Sequence, residues 1–443
     1  MAHSHEHVLG AHPIQHAHGQ DHRHSHADIG HPGGHPGGHP GGHPGGHPHG
    51  GKGPIVRTLK HDLNEKPFIV IWEVTRACGL VCAHCRAEAN PHAHPDQLTT
   101  EEGKALLDQL AAYEPPRPMV VLTGGDCFER DDLEELVRHG TANGLNVSVS
   151  PSVTPLLTRE RVEALKDAGV KAMSVSLDGA SPQTHDAFRG FSGTFDATVK
   201  AAKMIVDVGM RVQVNSTLTL ANIHEGPAML QTAMETGAWM WYIFFLVPTG
   251  RGAMLAAMDA AQREDVLHWL HDVSTRIAIK TTEAPQYRRV AFQRQKGEST
   301  GERGELYHYL TEETIKRLGP IEEQPQRPPR PPLAVNSGSG FAFVDHIGDV
   351  YPSGFLPIHC GNVKTEAFAD IYKHTEAFKR LRDPKSWTGK CAVCDYNSFC
   401  GGSRSTAYAL TGDPYASDPN CVYVPPAAQD WNPEELLTKQ PIR

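Results

Sequence analysis

Six short runs rich in β-branched and aromatic residues recur along this chain, and amphipathic helical patterns separate them. Strands that are apolar on both faces and alternate with helices form parallel sheets covered by helices. The sequence therefore predicts an α/β fold with a partial parallel (βα)6 barrel over residues 66–320. The runs are FIVIWEV (68–74), PMVVLTG (118–124), NVSVSPS (146–152), AMSVSLDG (172–179), RVQVNSTLT (211–219) and WYIFFLVP (241–248).

Two of the intervening segments carry explicit helix-boundary signals. In TTEEGKALLDQLAAY, Thr99 and Glu102 have the spacing of a capping box. The segment TFDATVKAAKMIVDVG ends at Gly209, and glycine is the residue that most often follows a helix. These signals predict helices between the strands, as a βα barrel requires.

A cysteine triplet, C-x3-C-x2-C, follows the first predicted strand and consists of Cys78, Cys82 and Cys85. In parallel α/β barrels the reactive groups lie at the carboxyl ends of the strands. Closed structural metal sites usually take four protein ligands. Three thiolates can hold three irons of a cubane cluster and leave the fourth iron open. The triplet therefore predicts an open iron–sulfur site at the barrel mouth.

Other polar motifs follow the later predicted strands at equivalent places, so we expect them to face the same mouth. The triplet together with TGGD resembles the two signatures of the radical S-adenosylmethionine superfamily. The resemblance implies that the triplet binds a [4Fe–4S] cluster whose open iron chelates the amino and carboxylate groups of S-adenosylmethionine. The motifs are TGGD (123–126), SPS (150–152), SLDG (176–179), NST (215–217) and PTGRG (248–252).

The resemblance also assigns roles around the cosubstrate. Gly124, Gly125 and Asp126 match the motif that meets its ammonium group, where glycines permit close backbone approach and a carboxylate complements a cation. The family usually has proline next, whereas this chain has Cys127, which we interpret as a small buried thiol. His84 lies where relatives carry an aromatic side chain, so we expect it to pack near the adenine.

Five further residues match positions that contact the ribose or carboxylate of the cosubstrate in relatives. The serines and the asparagine among them are equally consistent with local backbone caps. The five are Ser150, Ser176, Asp178, Arg189 and Asn215.

A proline-rich segment, 321–332, predicts a linker to a small domain at 333–430. Within that domain GFAFVDHIGDVYPSGF predicts a hairpin turning at His346 to Asp349, and a short helix is expected near Phe368. The second cysteine group resembles the auxiliary-cluster domain called SPASM. Its thiols predict one auxiliary [4Fe–4S] cluster, and a zinc site made of the same thiolates is the alternative. The group comprises Cys391, Cys394, Cys400 and Cys421.

Two ligand positions of a further SPASM cluster are serine in this chain, namely Ser353 and Ser403. Only Cys360 remains for that cluster, so we expect it to be absent. This substitution departs from the pattern of the alternative haem synthase.

Several segments nevertheless look most like the subgroup that contains this synthase, which oxidatively decarboxylates propionates of iron-coproporphyrin. They include IWEVTRACGLVCAHCRAEA, FFLVPTGRG and YALTGDPYASDPNC. The resemblance implies a radical enzyme acting on a tetrapyrrole, with an electron donor such as flavodoxin or ferredoxin. Candidate substrate-binding residues are Arg251, Tyr287, Arg288, Arg289, His346 and His359.

Two other readings stay open. A maturase of a ribosomal peptide or another cofactor would share the chemistry, although peptide maturases more often carry a leader-binding domain before the barrel. A non-catalytic metal-handling protein would explain the histidines but not TGGD. Asp126→Asn discriminates the last reading, because it should abolish cosubstrate cleavage without removing metal only if the chain is an enzyme.

Residues 1–53 hold 15 of the 28 histidines and four consecutive HPGG units. Because this tail has almost no apolar side chains, we expect it to be disordered. Closely spaced imidazoles bind nickel, copper, zinc or cobalt.

The net charge is −9, whereas nucleic-acid-binding proteins usually carry a basic patch, so we do not expect a nucleic-acid partner. No apolar run reaches the length of a membrane span, and the clustered cysteines suit a reducing compartment. We therefore expect a cytoplasmic protein.

Overall fold

A computed structural model describes residues 55–88, 90–298, 300–321 and 330–441. The predicted His-rich tail and most of the predicted linker lie outside these residues. The strands are β1 Ile69–Glu73, β2 Met119–Thr123, β3 Asn146–Val149, β4 Ala172–Ser176, β5 Arg211–Leu218, β6 Met240–Phe245, β7 Ala278–Thr282, β8 Asn336–Ser337, β9 Gly340–Val344, β10 Asp349–Tyr351 and β11 Gly361–Asn362.

Helices connect and cover these strands. They are α1 Thr100–Ala111, α2 Leu133–Ala142, α3 Arg159–Asp167, α4 Pro182–Arg189, α5 Thr194–Asp207, α6 Gly226–Glu235, α7 Ala260–Val273, α8 Gln286–Lys296, α9 Glu305–Leu318, α10 Phe368–His374, α11 Glu376–Arg382, α12 Gly389–Ala392, α13 Arg404–Thr411 and α14 Pro433–Thr438.

The strands form one sheet in the order β11-β10-β9-β1-β2-β3-β4-β5-β6-β7, with β8 paired to β9. The first seven strands run parallel in sequence order. All six predicted strands are present, which confirms the partial parallel barrel. A crossover helix before each new strand explains why neighbours in sequence are neighbours in the sheet.

The sheet extends beyond the predicted barrel on both sides. At one edge, β7 pairs with β6 in parallel, and its sequence AIKTT is too short and too polar to stand out as a buried strand. At the other edge, β9 pairs in parallel with β1, joining Phe341 to Ile69 and Val344 to Trp72. The carboxyl-terminal segment therefore shares the barrel's own sheet.

The structure confirms the predicted capping box, hairpin and short helix. Thr99 and Glu102 form a reciprocal capping box at the start of α1. Strands β9 and β10 are antiparallel, and the turn between them spans 345–348. Helix α10 lies at the predicted position near Phe368.

Large aromatic side chains fill the layer between the sheet and its helices. Trp72, Trp241 and Trp269 are fully buried. Trp241 packs edge-on against Trp269 with ring centroids 5.9 Å apart. Each indole of this pair donates to a hydroxyl, Trp241 to Ser216 and Trp269 to Thr314, both at 2.9 Å. Satisfied indoles let this rigid core hold the strand ends in place.

Within the described residues, no helix combines the length and apolar character needed to cross a membrane.

Candidate active site and auxiliary metal site

The cysteine triplet lies in the loop that follows β1, at the carboxyl end of the strand. Cys78 and Cys82 are buried together with Leu80, and Cys85 packs against them. The three thiols thus belong to one small cluster, as their spacing predicts. Burial raises the pKa of the Cys78 thiol.

The glycines of TGGD press directly on the start of the cysteine loop. The Gly125 amide donates to the Thr75 carbonyl at 2.8 Å, and the Asp126 amide donates to the Ala77 carbonyl at 2.7 Å. A Cβ on Gly125 would lie 2.4 Å from the Ala77 oxygen. Because only glycine permits this approach, the motif fixes the position of the loop.

The carboxylate of Asp126 accepts hydrogen bonds from donors of the protein itself. It is fully buried, and it accepts from the Thr154 hydroxyl at 2.6 Å and from the Ser152 amide at 3.3 Å. Burial raises the pKa of this carboxyl. The backbone of Gly124 and Gly125, next to it in the motif, is partly exposed.

Arg189 links two of the predicted cosubstrate residues to the triplet. It forms an ion pair with Asp178 at 2.8 Å, and its Nη1 donates to the Cys82 thiol at 3.5 Å. Asp178 also accepts from the Thr217 amide at 2.7 Å, and its own amide donates to the His185 ring. Although burial alone would raise it, the pKa of Asp178 is held low by Arg189.

The remaining predicted cosubstrate residues follow neighbouring strand ends. Ser150, after β3, accepts from the Ser174 hydroxyl at 2.6 Å. Asn215, in β5, accepts from Gln213 at 2.8 Å. Ser176 ends β4, and all three of these predicted residues are partly exposed. Ser176 and Asn215 are partners in the register of β4 and β5, so these two residues lie side by side at the carboxyl end of β4.

His84 stacks on Phe188 with ring centroids 4.8 Å apart, as the packing interpretation predicts. Burial lowers the pKa of His84 to about 4, so the ring is neutral at pH 7. It adds no charge beside the thiols.

The PTGRG loop after β6 closes over the triplet. The Arg251 amide donates to the Cys85 carbonyl at 3.1 Å, and its Nε donates to the Cys82 carbonyl at 2.8 Å. A Cβ on Gly250 would lie 2.7 Å from the Cys85 oxygen. Arg251 Nη2 is buried without a partner in the part of the chain that the structure describes. A buried unsatisfied donor is costly, so this nitrogen fits an anionic ligand beside the triplet.

The auxiliary cysteines converge around one cavity, although Cys421 lies 21 positions after Cys400 in the chain. All four thiols, Cys391, Cys394, Cys400 and Cys421, line it. No three His, Cys, Asp or Glu side chains among the described residues converge on one point as ligands of a single ion do. The ligands of a cubane cluster do not have to converge on one point, because each thiolate binds a different iron atom.

Basic side chains surround this cavity. Lys390 and Arg289 line it, with 7% and 3% of their surface exposed. Arg404 is fully buried, and a Cβ on Gly402 would contact both its Nη2 at 2.7 Å and the Cys391 thiol at 3.2 Å. Arg289 is compensated by Glu264, whereas Lys390 and Arg404 form no ion pair with a described carboxylate, and buried unpaired cations require negative charge. Four thiolates on an iron–sulfur cluster carry such charge, so the donor set fits an anionic cluster.

Ser353 and Ser403, the predicted replacements of cluster ligands, converge on one carboxylate. Both hydroxyls donate to Glu283, and Ser405 donates to the same group at 3.0 Å. Glu283 follows β7 with φ at 55°, and burial raises its pKa. Glu283 is not among the predicted site residues, because the strand that it follows, β7, is not among the predicted strands. Cys360 and Cys127 lie instead in the main hydrophobic core.

The other candidate substrate residues have structural partners. Arg288 donates to the Phe399 carbonyl at 2.9 Å. Arg289 pairs with Glu264 at 2.6 Å, and His346 with Glu73 at 3.2 Å. Tyr287 is buried in the core, and His359 lies at the surface 3.1 Å from Asp349. Arg251 alone of the six contacts the cysteine triplet among the described contacts.

Comparison with known families agrees with this geometry. Residues 72–234 match the radical SAM superfamily model, and residues 336–395 match the iron–sulfur cluster-binding domain called SPASM. These matches imply a [4Fe–4S] cluster, S-adenosylmethionine and an auxiliary cluster.

Two similar proteins are AdoMet-dependent heme synthases. The one from Nitratidesulfovibrio vulgaris is 37% identical over 81% of this chain and 92% of its own length. The one from Methanosarcina barkeri is 36% identical over 82% of this chain and 98% of its own length. Among solved structures, Streptococcus suis SuiB bound to S-adenosylmethionine superposes with a TM-score of 0.59 at 15% identity, covering 81% of this chain and 78% of that one.

Proposed function

Because this chain belongs to the radical SAM superfamily, in the group of heme synthases and maturases, we propose that it removes hydrogen from a tetrapyrrole of the haem-precursor class. The reaction proposed is oxidative decarboxylation of propionate side chains. The observation that carries this proposal is the 37% identity to a heme synthase, which extends over 92% of that protein.

The bound cluster and S-adenosylmethionine supply a 5′-deoxyadenosyl radical, which takes hydrogen from an unactivated carbon. In the proposed reaction each propionate side chain loses one hydrogen atom from the carbon next to the ring, then carbon dioxide and one electron, and a vinyl group remains. The hydrogen goes to the 5′-deoxyadenosyl radical, which becomes 5′-deoxyadenosine, and a cluster on the auxiliary cysteines would supply an acceptor for the electron. The protein's task is to position the two reactants and to keep water away from the radical.

Residues around the triplet are suited to that task. The Gly124 and Gly125 backbone approaches the loop closely enough to place a ligand against it. Arg189 and Asp178 hold the Cys82 side of the loop through a buried ion pair. The residues Cys78 and Cys82 are 6% and 7% exposed, which limits water access.

Arg251 supports an anionic substrate or cosubstrate at the triplet. Its Nε is engaged with the Cys82 carbonyl, whereas its buried Nη2 lacks a protein partner. A guanidinium pairs well with a carboxylate, and both the methionine part of the cosubstrate and a propionate carry one. We propose that Arg251 binds one of these carboxylates.

A peptide substrate is the second candidate. SuiB, whose fold this chain shares, has also been solved with its precursor peptide SuiA, at a TM-score of 0.59. The sequence identity to that protein is only 14%, so the likeness supports the fold rather than the substrate.

Product mass separates the candidates. The anaerobically reconstituted, reduced protein is incubated with S-adenosylmethionine and iron-coproporphyrin III, and the porphyrin is analysed by mass spectrometry. Vinyl products support the proposal, and Arg251→Gln should reduce their yield at least tenfold. Unchanged porphyrin beside active cosubstrate cleavage contradicts the tetrapyrrole and favours the peptide. Absence of cleavage with a verified reducible cluster favours the metal-handling alternative.

A further inference from the structure

Four residues form a row across strands β4 to β7, on one face of the sheet. In the register of these parallel strands, Ser176 lies beside Asn215, Asn215 beside Tyr242, and Tyr242 beside Lys280. Residues that are paired in this way point to the same face. All four are partly exposed. The row therefore leads from two predicted cosubstrate residues to an aromatic ring and a cation.

The opposite face of the same strands belongs to the hydrophobic core. The residues one position before the row pair with each other in the same register, and each is at most 3% exposed. They are Val175, Val214, Trp241 and Ile279. Among them Trp241 packs against Trp269 of helix α7. Because successive side chains of a strand point to opposite faces, the row lies on the inner face of the barrel, away from the helices.

Lys280 is the cation of this row. Its ammonium lies 4.3 Å from the centroid of the Tyr242 ring. Among the described residues, no carboxylate forms an ion pair with it. The nearest acidic residue along the chain, Glu283, instead accepts from the hydroxyls of Ser353 and Ser403. A partly enclosed ammonium without a counter-ion favours an anionic ligand.

Two aromatic rings lie beside this cation. Phe244 is the next residue of β6 on the inner face, where it pairs with Thr282 of β7. The centroid of its ring is 4.7 Å from that of Tyr242, and both residues are partly exposed. Aromatic side chains bind flat apolar molecules, and an ammonium binds carboxylates. The three residues together therefore suit a flat ring system that carries carboxylates at its edge.

This group is set apart from the predicted cosubstrate residues. Lys280 and Asn215 lie two strand spacings apart, which is about 10 Å between their backbones. That separation leaves room on the inner face for a second molecule beside the cosubstrate.

We propose that Lys280 binds a propionate carboxylate of the substrate, while Tyr242 and Phe244 contact the face of its ring. This inference rests on the proposed function, since it takes the substrate to be a tetrapyrrole, and it adds the residues that recognise it. All three residues lie on strands that form the barrel itself, so the substrate would be held against the sheet.

Binding of iron-coproporphyrin III to the reconstituted full chain tests the proposal. Absorbance titration is carried out with S-adenosylmethionine present and without a reductant, so that no turnover occurs. Lys280→Met removes the charge but keeps the length of the side chain, and the dissociation constant should rise roughly tenfold or more. Lys280→Gln, a second uncharged variant, should behave in the same way. Lys280→Arg keeps the charge and should bind nearly as the wild type does.

Two controls separate charge from other effects. The tetramethyl ester of the porphyrin has no carboxylate, so the wild type and Lys280→Met should bind it equally. Arg211→Met is the matched variant, because Arg211 lies on the same face of β5, with its guanidinium 5.3 Å from the Trp239 ring, but at the amino end of the strand. It should leave the affinity for the porphyrin unchanged. Iron content and affinity for S-adenosylmethionine should equal those of the wild type in every variant.

Three results overturn the proposal. One is an unchanged affinity for the porphyrin in the two uncharged variants, since a lysine on the edge strand of a sheet can also serve to deter pairing with other chains. Another is a loss of affinity for S-adenosylmethionine instead, which would assign the cation to the cosubstrate. The third is an equal loss with the tetramethyl ester, which would show lost packing rather than lost charge.

The same titration separates this proposal from the proposed function. A wild type that converts the porphyrin, with uncharged variants that bind it equally well, overturns only the role of Lys280. A wild type that does not bind the porphyrin overturns both.

Discussion

The guanidinium of Arg189 joins the Asp178 carboxylate to the Cys82 thiol, at 2.8 and 3.5 Å respectively. Asp178 is 1% exposed and Arg189 is 8% exposed, so the pair is buried against the cysteine loop. This contact ties the segment that follows β4 to the cysteine loop.

Replacing one partner of the Arg189–Asp178 pair should destabilise the protein more than replacing both partners. Arg189→Gln leaves Asp178 buried without its cation, and we expect a loss of about 3 kcal/mol in stability. The double variant Arg189→Gln/Asp178→Asn should recover part of that loss. Thermal unfolding of the reconstituted proteins measures the coupling, and additive single effects would contradict a direct pair.

Gly125→Ala should disrupt the triplet site selectively. The added Cβ would lie 2.4 Å from the Ala77 carbonyl oxygen, which belongs to the backbone and cannot rotate away. We expect the iron content to fall by about four atoms per chain, one cubane, with loss of 5′-deoxyadenosine formation. Gly79→Ala is the control within the same loop, because nothing lies within 4 Å of its Cβ position. Equal iron loss in both variants would refute the steric explanation.

Gly402→Ala should act on the auxiliary site instead. Its Cβ would meet Arg404 Nη2 at 2.7 Å and the Cys391 thiol at 3.2 Å, at a residue with φ of +65°. Iron should again fall by about four atoms per chain, one cubane, but the triplet cluster should still cleave S-adenosylmethionine. Gly412→Ala has a similar φ of +78° and open space around it, so it reports backbone strain alone. Loss of cosubstrate cleavage in Gly402→Ala would show that the two sites are not independent.

The Glu264–Arg289 pair makes a prediction about pH. Burial would raise the pKa of Glu264, but hydrogen bonds and charge from His268 and Arg289 lower it to about 2. Because the pKa of Glu264 is lower in the folded state than its unfolded value of 4.5, the ionised carboxylate stabilises the folded protein at every pH above 4.5. This contribution is lost as the pH falls from 4.5 toward the folded-state pKa of about 2. Glu264→Gln should therefore cost about 3 kcal/mol at pH 7, and the cost should be at least as large at pH 5. A cost that shrinks markedly at pH 5 would disprove the low pKa.

Local patterns in the sequence were sufficient for the barrel and for the cysteine groups. Runs of apolar residues predict strands β1 to β6, and the spacing of the cysteines predicts the two cysteine groups. Strand β9 could be predicted as a strand, but its parallel pairing with β1 depends on contacts between residues about 270 positions apart. Strand β7 gave too weak a signal, since Lys280, Thr281 and Thr282 are polar.

The chemistry of individual side chains was harder to predict than their position. Asp126 lies next to the triplet, and its carboxylate accepts from Ser152, in SPS, and from Thr154, which lies outside the polar motifs. Arg288, one of several candidate substrate residues, donates to the Phe399 and Cys400 carbonyls. Hydrogen bonds between distant segments decide such roles, and no local pattern encodes them.

Deuterium transfer tests the central claim most directly. Iron-coproporphyrin III, deuterated on the propionate carbons next to the ring, is given to the reduced holoprotein with S-adenosylmethionine. The account predicts deuterium in 5′-deoxyadenosine together with a porphyrin that has lost carbon dioxide. Unlabelled 5′-deoxyadenosine formed at the same rate with and without the porphyrin would contradict it, because the radical would then take hydrogen from something else.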